Sequence, residues 1–545
     1  MKNKDYPLYE NEQVNSLKEL INRSAKKYAD KSAFSYERDN KAIKVSFRQF
    51  KMDVDSLGTF FLEQKYIKIK FAVIGENSYE WILSYFSVVN SGNIIVPLDR
   101  ELQYGDLKNL IEDSGAIVLI YSDAFTNFAD YMKNNNNSIK NYINMQDFPN
   151  FIKDGNSLIN SGERTILDYE IDNKTLAVIM YTSGTTGVAK GVMLSHIGIA
   201  HGTVACLMNT KIVGSNILVL PLHHVFGSIA VVCTMLQNGS EVLINSGLPK
   251  FLSDMEKFKP DNLFLVPLFI ETFYKRIWDG AAKQGKEGLL KKLIKISNAL
   301  LKIGIDARRL LFKSVLKAFG GNLKLILSGG APIDAKYMQG LRDFGVNILN
   351  GYGLTECSGV ISVTRNNYYR DGSVGLVLPC CEVKIADPDE NGHGEIYVKG
   401  NNVMLGYHNS EQATKEAFDG DWFKTGDLGY MDEDGFLYVS GRKKNLIVLS
   451  NGRNVYPEEI EFALLKHIYY IKETVVYAKD NKIVAEVFLD IENHPDCASI
   501  IDNDVVELNR LLPPYMNIGK AEIRDTEFPK TTTKKIKRRY DEQGI

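Results

Sequence analysis

Apolar positions along this chain follow two alternating rhythms. From Leu17 to Tyr28 they recur at three- and four-residue intervals, which predicts an amphipathic helix. A Ser/Phe/Tyr-rich stretch of strand character follows. Short apolar runs then alternate with helical segments: 71–74, a helix near Tyr79 to Val89, 94–96, a helix near Tyr104 to Ile111, and 116–120. Such alternation predicts parallel strands joined by crossover helices, so the expected fold class is α/β. Leu176 to Met180, Ile217 to Leu220 and Leu323 to Leu327 read as further buried strands. The polar tract Asn134 to Asn137 is expected on a surface loop.

Toward the C-terminus the pattern changes. Asp387-Pro-Asp-Glu-Asn-Gly392 imitates the start of an EF-hand loop, but position twelve would be Val398, which cannot supply the bidentate carboxylate. A hairpin turn leading into Glu395 to Val398 is the better account, and Asp434-Gly435 marks a second hairpin. After Arg442 come a strand at Leu446 to Leu449, a glycine turn and a helix from Pro457. These signals predict a large N-terminal domain of α/β subdomains over 1–441 and a small α+β domain over 442–545.

Composition narrows the class. A chain of 545 residues is too long for one simple core, and 44% apolar with 24% charged residues is an ordinary globular balance. A formal net charge of -2 argues against a nucleic-acid partner. Cys206, Cys233, Cys357, Cys380, Cys381 and Cys497 show no CxxC or Cys/His zinc spacing and read as reduced thiols of a cytoplasmic chain. The opening MKNKDYPLYENEQ has no apolar h-region, so no signal peptide is expected. The longest apolar candidate, Ile217 to Leu236, is interrupted by Pro221, His223 and His224, so no membrane span is expected either.

The densest chemistry lies in YTSGTTGVAKG, Tyr181 to Gly191. Three glycines, four hydroxyl residues and a lysine share those eleven positions after the apolar run 176–180. Glycine lets backbone approach a ligand, amides and hydroxyls donate to phosphate oxygens, and lysine supplies charge, so a polyphosphate cradle is the reading. It is not a Walker A loop, because no Ser or Thr follows the lysine.

The longer stretch YTSGTTGVAKGVMLSH resembles the signature of the AMP-forming adenylating superfamily of acyl-CoA synthetases, luciferases and peptide-synthetase adenylation domains. Its members activate a carboxylic acid with ATP, form an acyl-adenylate and pyrophosphate, and pass the acyl group to a thiol. By that resemblance Thr182, Ser183, Gly184, Thr185, Thr186, Gly187 and Lys190 hold the phosphates. The family's other signatures follow in order. Ser328-Gly-Gly-Ala-Pro332 implies that Gly330 and Ala331 line the adenine and acyl pockets. Asn350-Gly-Tyr-Gly-Leu-Thr-Glu-Cys357 implies that Gly351, Tyr352 and Gly353 receive adenine, Thr355 meets the phosphates and Glu356 orients magnesium. Magnesium chemistry agrees, since the ion takes one or two carboxylates plus phosphate oxygens.

Trp422 to Asp427 with Gly441-Arg442 matches the family's ribose-binding pair, Asp427 accepting both hydroxyls and Arg442 approaching the α-phosphate. Pro529 to Arg539 resembles the C-terminal catalytic motif and makes Lys535 the catalytic lysine; Lys534 stands where relatives carry glycine. Lys444 falls at the family hinge, which implies a mobile C-terminal domain, and Asn445 replaces a common aspartate. The loop Leu449 to Pro457, with Gly452, resembles the lining of the pantetheine tunnel.

On the acyl side, Leu220-Pro-Leu-His-His-Val-Phe-Gly227 matches the substrate motif and puts His224 at the carboxylate end. A buried structural histidine is the competing reading. No aspartate follows to bind an α-ammonium, which disfavours an amino-acid substrate, and Val225, Phe226 and Ile229 suit an alkyl chain. Val266 to Glu271 and a long basic insertion resemble long-chain acyl-CoA synthetases in particular. The resemblance therefore implies ATP-dependent activation of a medium- to long-chain fatty acid and transfer to CoA, with ATP, Mg2+ and CoA as cofactors. The alternative acceptor is an acyl carrier protein. A nucleotide-binding regulator without catalysis is the reading from another class; the presence of Lys535, Glu356 and Asp427 weighs against it.

One stretch stands apart. Between Lys283 and Lys317 there are ten Lys/Arg against two acids, with Leu and Ile at helical spacing. A basic amphipathic helix of this kind suits either a solvated face over a packed core or an anionic membrane surface.

Overall fold

Helix Tyr79–Asn90 shows how the first half of the chain is built. Ser78 caps it by accepting from the Trp81 amide at 3.1 Å, and every residue after the cap except Glu80 is buried. A helix apolar all round must sit between layers, and this one packs on helix Phe47–Glu63 and on strands Lys70–Ile74 and Ile94–Pro97. The computed structural model describes residues 6–136, 138–182, 189–245, 247–449, 453–479, 482–530, 536 and 538. They divide into two compact units, one made of Met1–Glu382 with Val398–Phe423, the other of Val383–Tyr397 with Lys424–Ile545.

The first unit carries two sheets. One runs in the order Gly406–Tyr407, Lys190–Ser195, Leu176–Thr182, Ile94–Pro97, Lys70–Ile74, Val118–Tyr121, Asn141–Asn144. Its strands are parallel except Lys190–Ser195 and Gly406–Tyr407, each antiparallel to its neighbour. In the second sheet, strands Asn347–Tyr352, Leu325–Ser328, Asn262–Leu265, Asn216–Leu218, Val242–Ile244 and Ser32–Arg38 lie side by side and parallel. The α/β class read from the alternation is the observed one.

The second unit is smaller and of α+β type. Strands Ile471–Lys479 and Lys482–Leu489 form an antiparallel hairpin, Ile518–Arg524 runs parallel to the latter, and helices Pro457–His467 and Cys497–Asn509 contribute Ile460, Leu464 and Ile501 to the shared core. The turn at Asp389 is the expected hairpin turn: Asp389 accepts from the amides of Asn391 and His393, at 2.9 and 3.0 Å, and Gly392 takes a φ of 82°.

Two local expectations differ. The polar Asn tract is not a plain surface loop: helix Thr126–Asn135 runs through its first half, and buried Asn136 accepts from the amides of Ser138 and Ile139 while donating to Glu112. The basic insertion is not one helix. It breaks at Gly285 and Gly304, with φ of 64° and 84°, into Pro267–Lys283, Glu287–Lys302 and the short turns Arg308–Leu311 and Lys313–Lys317. All six cysteines are free.

Candidate active site

The carboxyl ends of parallel strands gather the first unit's candidate residues. Leu265 is in register with Ser328, and Ser328 with Asn350. The residues just beyond these paired positions, Val266-Pro267, Gly329-Gly330-Ala331 and the strand end Gly351-Tyr352, therefore lie at one level, beside the loop after Asn216–Leu218 that carries His223 and His224. Ligands of open α/β sheets bind at such edges.

Glycine is required twice here. Gly330 has a φ of 82°, and a Cβ on Gly353 would sit 2.1 Å from the carbonyl oxygen of Gly359. The stretch 353–360 doubles back on itself, with the Gly359 amide donating to Leu354 and the Ile361 amide to Tyr352. Thr355 and Glu356 are presented from its single helical turn, Thr355–Cys357.

A strap formed by residues 402–408 holds this loop. Buried Asn402 donates to the Val360 carbonyl at 2.9 Å and accepts, through its own carbonyl, from the Ser358 hydroxyl. The Met404 amide donates to the Glu356 carbonyl at 2.8 Å, and the Tyr407 hydroxyl donates to Glu356 Oε1 at 2.9 Å. The same strap pairs with Lys190–Ser195, Tyr407 opposite Val192. Lys190 Nζ lies 5.0 Å from the centre of the Tyr407 ring, a cation–π distance. Lys190 and Glu356, far apart in sequence, are thus joined through one tyrosine.

The glycine–threonine stretch connects two antiparallel strands, with Thr182 opposite Lys190. Just before it, the Tyr181 hydroxyl donates to Asp113 at 2.5 Å; burial, aided by that carboxylate, keeps the phenol well above its usual range. Ser183, Gly184, Thr185, Thr186 and Gly187 lie outside the described residues, as do Gly452 and Lys535.

On the acyl side, Asn77 clamps the turn after Leu218, donating to the Leu220 carbonyl at 2.8 Å and accepting from the Leu222 amide at 3.1 Å. The rings of His223 and His224 are 4.2 Å apart, and His223 Nε2 is 3.2 Å from Asp99 Oδ1. Burial, reinforced by His224, pushes His223 down to about 3, with Asp99 opposing. The imidazole is neutral at physiological pH. A π-helix, Phe226–Cys233, follows. A Cβ on Gly329 would lie 3.1 Å from the Phe226 ring, and one on Gly359 2.9 Å from Val225. Phe226 therefore packs directly on Gly329, and Val225 on Gly359.

In the second unit, Asp427 and Arg442 face each other across the hairpin Trp422–Met431/Phe436–Arg442, joined by Arg442 Nε to Asp427 Oδ1 at 2.8 Å. Gly426, with a φ of 69°, and the Thr425 hydroxyl, which accepts from the Asp427 amide at 3.0 Å, set the carboxylate's position. Lys443 is paired with Glu395 at 2.7 Å. The ends of the basic tail are anchored too: Lys530 bridges to Ile536, and Arg538 contacts Glu461.

Sequence reasoning missed Tyr407, Asn402, Asn77 and the Asp99–His223 contact. Gly406-Tyr407 is a two-residue strand with no periodicity to find.

Known proteins share this architecture. The family described as AMP-binding enzyme matches residues 21–408. The long-chain-fatty-acid–CoA ligase FadD15 of Mycobacterium bovis is 29% identical over 515 residues, covering 86% of this chain and 85% of that protein. The long-chain-fatty-acid–CoA ligase of Salmonella typhimurium is 27% identical, covering 96% and 93%. Among solved structures, the anthranilate CoA ligase AuaEII in complex with anthranoyl-AMP superposes with a TM-score of 0.76 at 21% identity, covering 98% and 97%. The o-succinylbenzoate CoA synthetase of Bacillus subtilis, with its acyl-adenylate, gives 0.73 at 23%, covering 96% and 98%.

Proposed function

The chain belongs to the AMP-binding enzyme family, and from that premise we propose that this AMP-forming acyl-CoA ligase acts in the cytoplasm on medium- to long-chain fatty acids. ATP and the acid give an acyl-adenylate and pyrophosphate; CoA then displaces AMP to give the acyl-CoA. The observation that carries the acyl assignment is the apolar wall of Val225 and Phe226, packed on the turn at Gly329 and Gly359 beside His224. The names of the two curated relatives support the same substrate class.

Adenylation brings a carboxylate onto an anionic phosphate, so the chain must supply cations and fixed donors where charge develops. The loop from Thr182 to Lys190 cradles the phosphates, and Tyr352 stacks on adenine. Thr355 donates to the phosphate region. Glu356, fixed by Tyr407, suits magnesium, whose bound charge would neutralise the pyrophosphate leaving group. Asp427 accepts the ribose hydroxyls and Arg442 holds the nucleotide, the two already set against each other by their ion pair. His224 meets the carboxylate end, Lys535 bridges carboxylate and α-phosphate oxygens, and Gly452 lines the path of the pantetheine. Residues from Arg442 onward form the mobile part, with the hinge near Lys444.

Pyrophosphate exchange across a chain-length series tests the substrate class; preference for acetate or an amino acid would overturn it. AMP release dependent on CoA, and absent with an acyl carrier protein, tests the acceptor. Lys535→Ala is expected to lose exchange yet still convert a supplied acyl-adenylate to thioester, and Lys444→Pro to show the reverse imbalance.

A further inference from the structure

The insertion between strands Asn262–Leu265 and Leu325–Ser328 has an unusual outer surface. Helix Glu287–Lys302 turns Leu290, Leu293, Ile294 and Ser297 inward against the core. Leu289 and Ile296, seven residues and two turns apart, point outward and are each more than half exposed. Ile303 and Ile305 follow in the connection and Leu310 in the next short turn, with Ile303 71% and Leu310 79% exposed. With Leu301, six of the 27 large apolar side chains exposed among the described residues fall within 22 consecutive positions, 289–310. Scattered apolar exposure is ordinary; a concentrated patch marks an interaction surface.

Charge accompanies it. The segment 283–317 holds ten Lys/Arg and two acids, a net +8, while the rest of the chain holds 55 Lys/Arg and 65 acids, a net −10. Both acids are already taken by neighbours of the same segment: Glu287 pairs with Lys291 at 2.6 Å and Asp306 with Arg308 at 2.7 Å. Lys283, Lys292, Lys295, Lys302, Lys313 and Lys317 are exposed and make no ion pair among the described residues.

We propose that this face, residues 283–317, docks on an anionic lipid bilayer, its lysines at the headgroup phosphates and Leu289, Ile296, Ile303, Ile305 and Leu310 at the acyl boundary. A bilayer surface takes cations and aliphatic side chains together. A nucleic acid would use the charge, but exposed Leu and Ile gain nothing from its backbone, and no aromatic ring in the segment is exposed for base stacking. An acidic protein is the remaining partner with complementary charge. The net −10 of the rest of the chain against +8 in this segment favours an approach with the patch toward an anionic surface.

The test is co-sedimentation of the full chain with vesicles, without fatty acid or ATP, so its outcome is separable from that of the ligase reading. The chain is expected to partition onto phosphatidylcholine vesicles containing phosphatidylglycerol, and to leave them as salt is raised. Pure phosphatidylcholine should retain little. Lys292→Glu with Lys295→Glu should lower the partition about tenfold or more. Ile303→Ser, Ile305→Ser and Leu310→Ser combined should lower it by a similar factor. All five positions are exposed, and an unchanged melting temperature confirms the fold of each variant. Loss in the charge variant alone would reduce the contact to electrostatics and overturn the insertion. Equal binding to both vesicle types, or retention only on an acidic protein or duplex DNA, would overturn the docking surface altogether.

Discussion

Tyr407 illustrates how a single side chain can position chemistry it does not perform. Its hydroxyl fixes Glu356 Oε1 and its ring faces Lys190, so removing the oxygen frees the carboxylate while leaving the ring in place. A hydrogen bond to a charged group contributes about 1.5–3 kcal/mol. Tyr407→Phe is therefore expected to slow pyrophosphate exchange roughly tenfold or more, with the loss partly recovered at high magnesium. A rate unchanged at all magnesium concentrations would remove Tyr407 from the site. At this scale the sequence is legible where signature and turn agree. The Asp434-Gly435 hairpin predicts that Asp427 and Arg442 act together, and the register places them opposite each other. It is silent where position depends on distant chain: nothing near Tyr407 in sequence announces Glu356, fifty-one residues earlier.

At the level of elements, the short apolar runs identify the strands because buried parallel strands have no polar face to disguise them. Helix Leu17–Tyr28 matches its predicted limits, since Ser16 caps it and lysines close it. The order of strands within each sheet is not legible, because it depends on which crossovers pack and not on any local signal. Helical periodicity runs straight through the basic insertion and hides the two glycines that break it. A glycine's purpose is likewise invisible until the fold is known. Gly353 is the clearest case: a methyl group there meets backbone, which cannot swing aside. Gly353→Ala should displace the turn carrying Thr355 and Glu356, abolishing measurable exchange and lowering the melting temperature by several degrees. Gly372→Ala, at a glycine with open space around it, is the comparison; its φ of 88° gives strain without a clash. If both variants melt and react alike, the close approach at Gly353 is not what holds the turn.

Across the whole molecule, near-neutral charge and ordinary composition argue against a nucleic-acid binder, yet say nothing of how acid acts on the fold. Two buried histidines in the first unit contribute to that response. Burial holds His196 at about 4, Asp172 opposing, and burial with His224 holds His223 at about 3. Both lie below the 6.5 of a solvated imidazole. As pH falls below that value the unfolded chain takes up two protons that the folded chain refuses, so stability declines with acidification. Each group contributes a slope approaching 1.4 kcal/mol per pH unit, roughly 3 kcal/mol per unit for the pair. Carboxylates add their own acid sensitivity, so the informative quantity is the difference between the chain and His196→Gln, which keeps a polar group but cannot be protonated. Urea midpoints measured between pH 7 and pH 5 should fall less steeply in the variant by about one proton's worth. Because His196 begins helix His196–Asn209, away from His223 and His224 in sequence, exchange activity at neutral pH should be retained. Identical slopes would mean that His196 is protonated within the fold, against its burial.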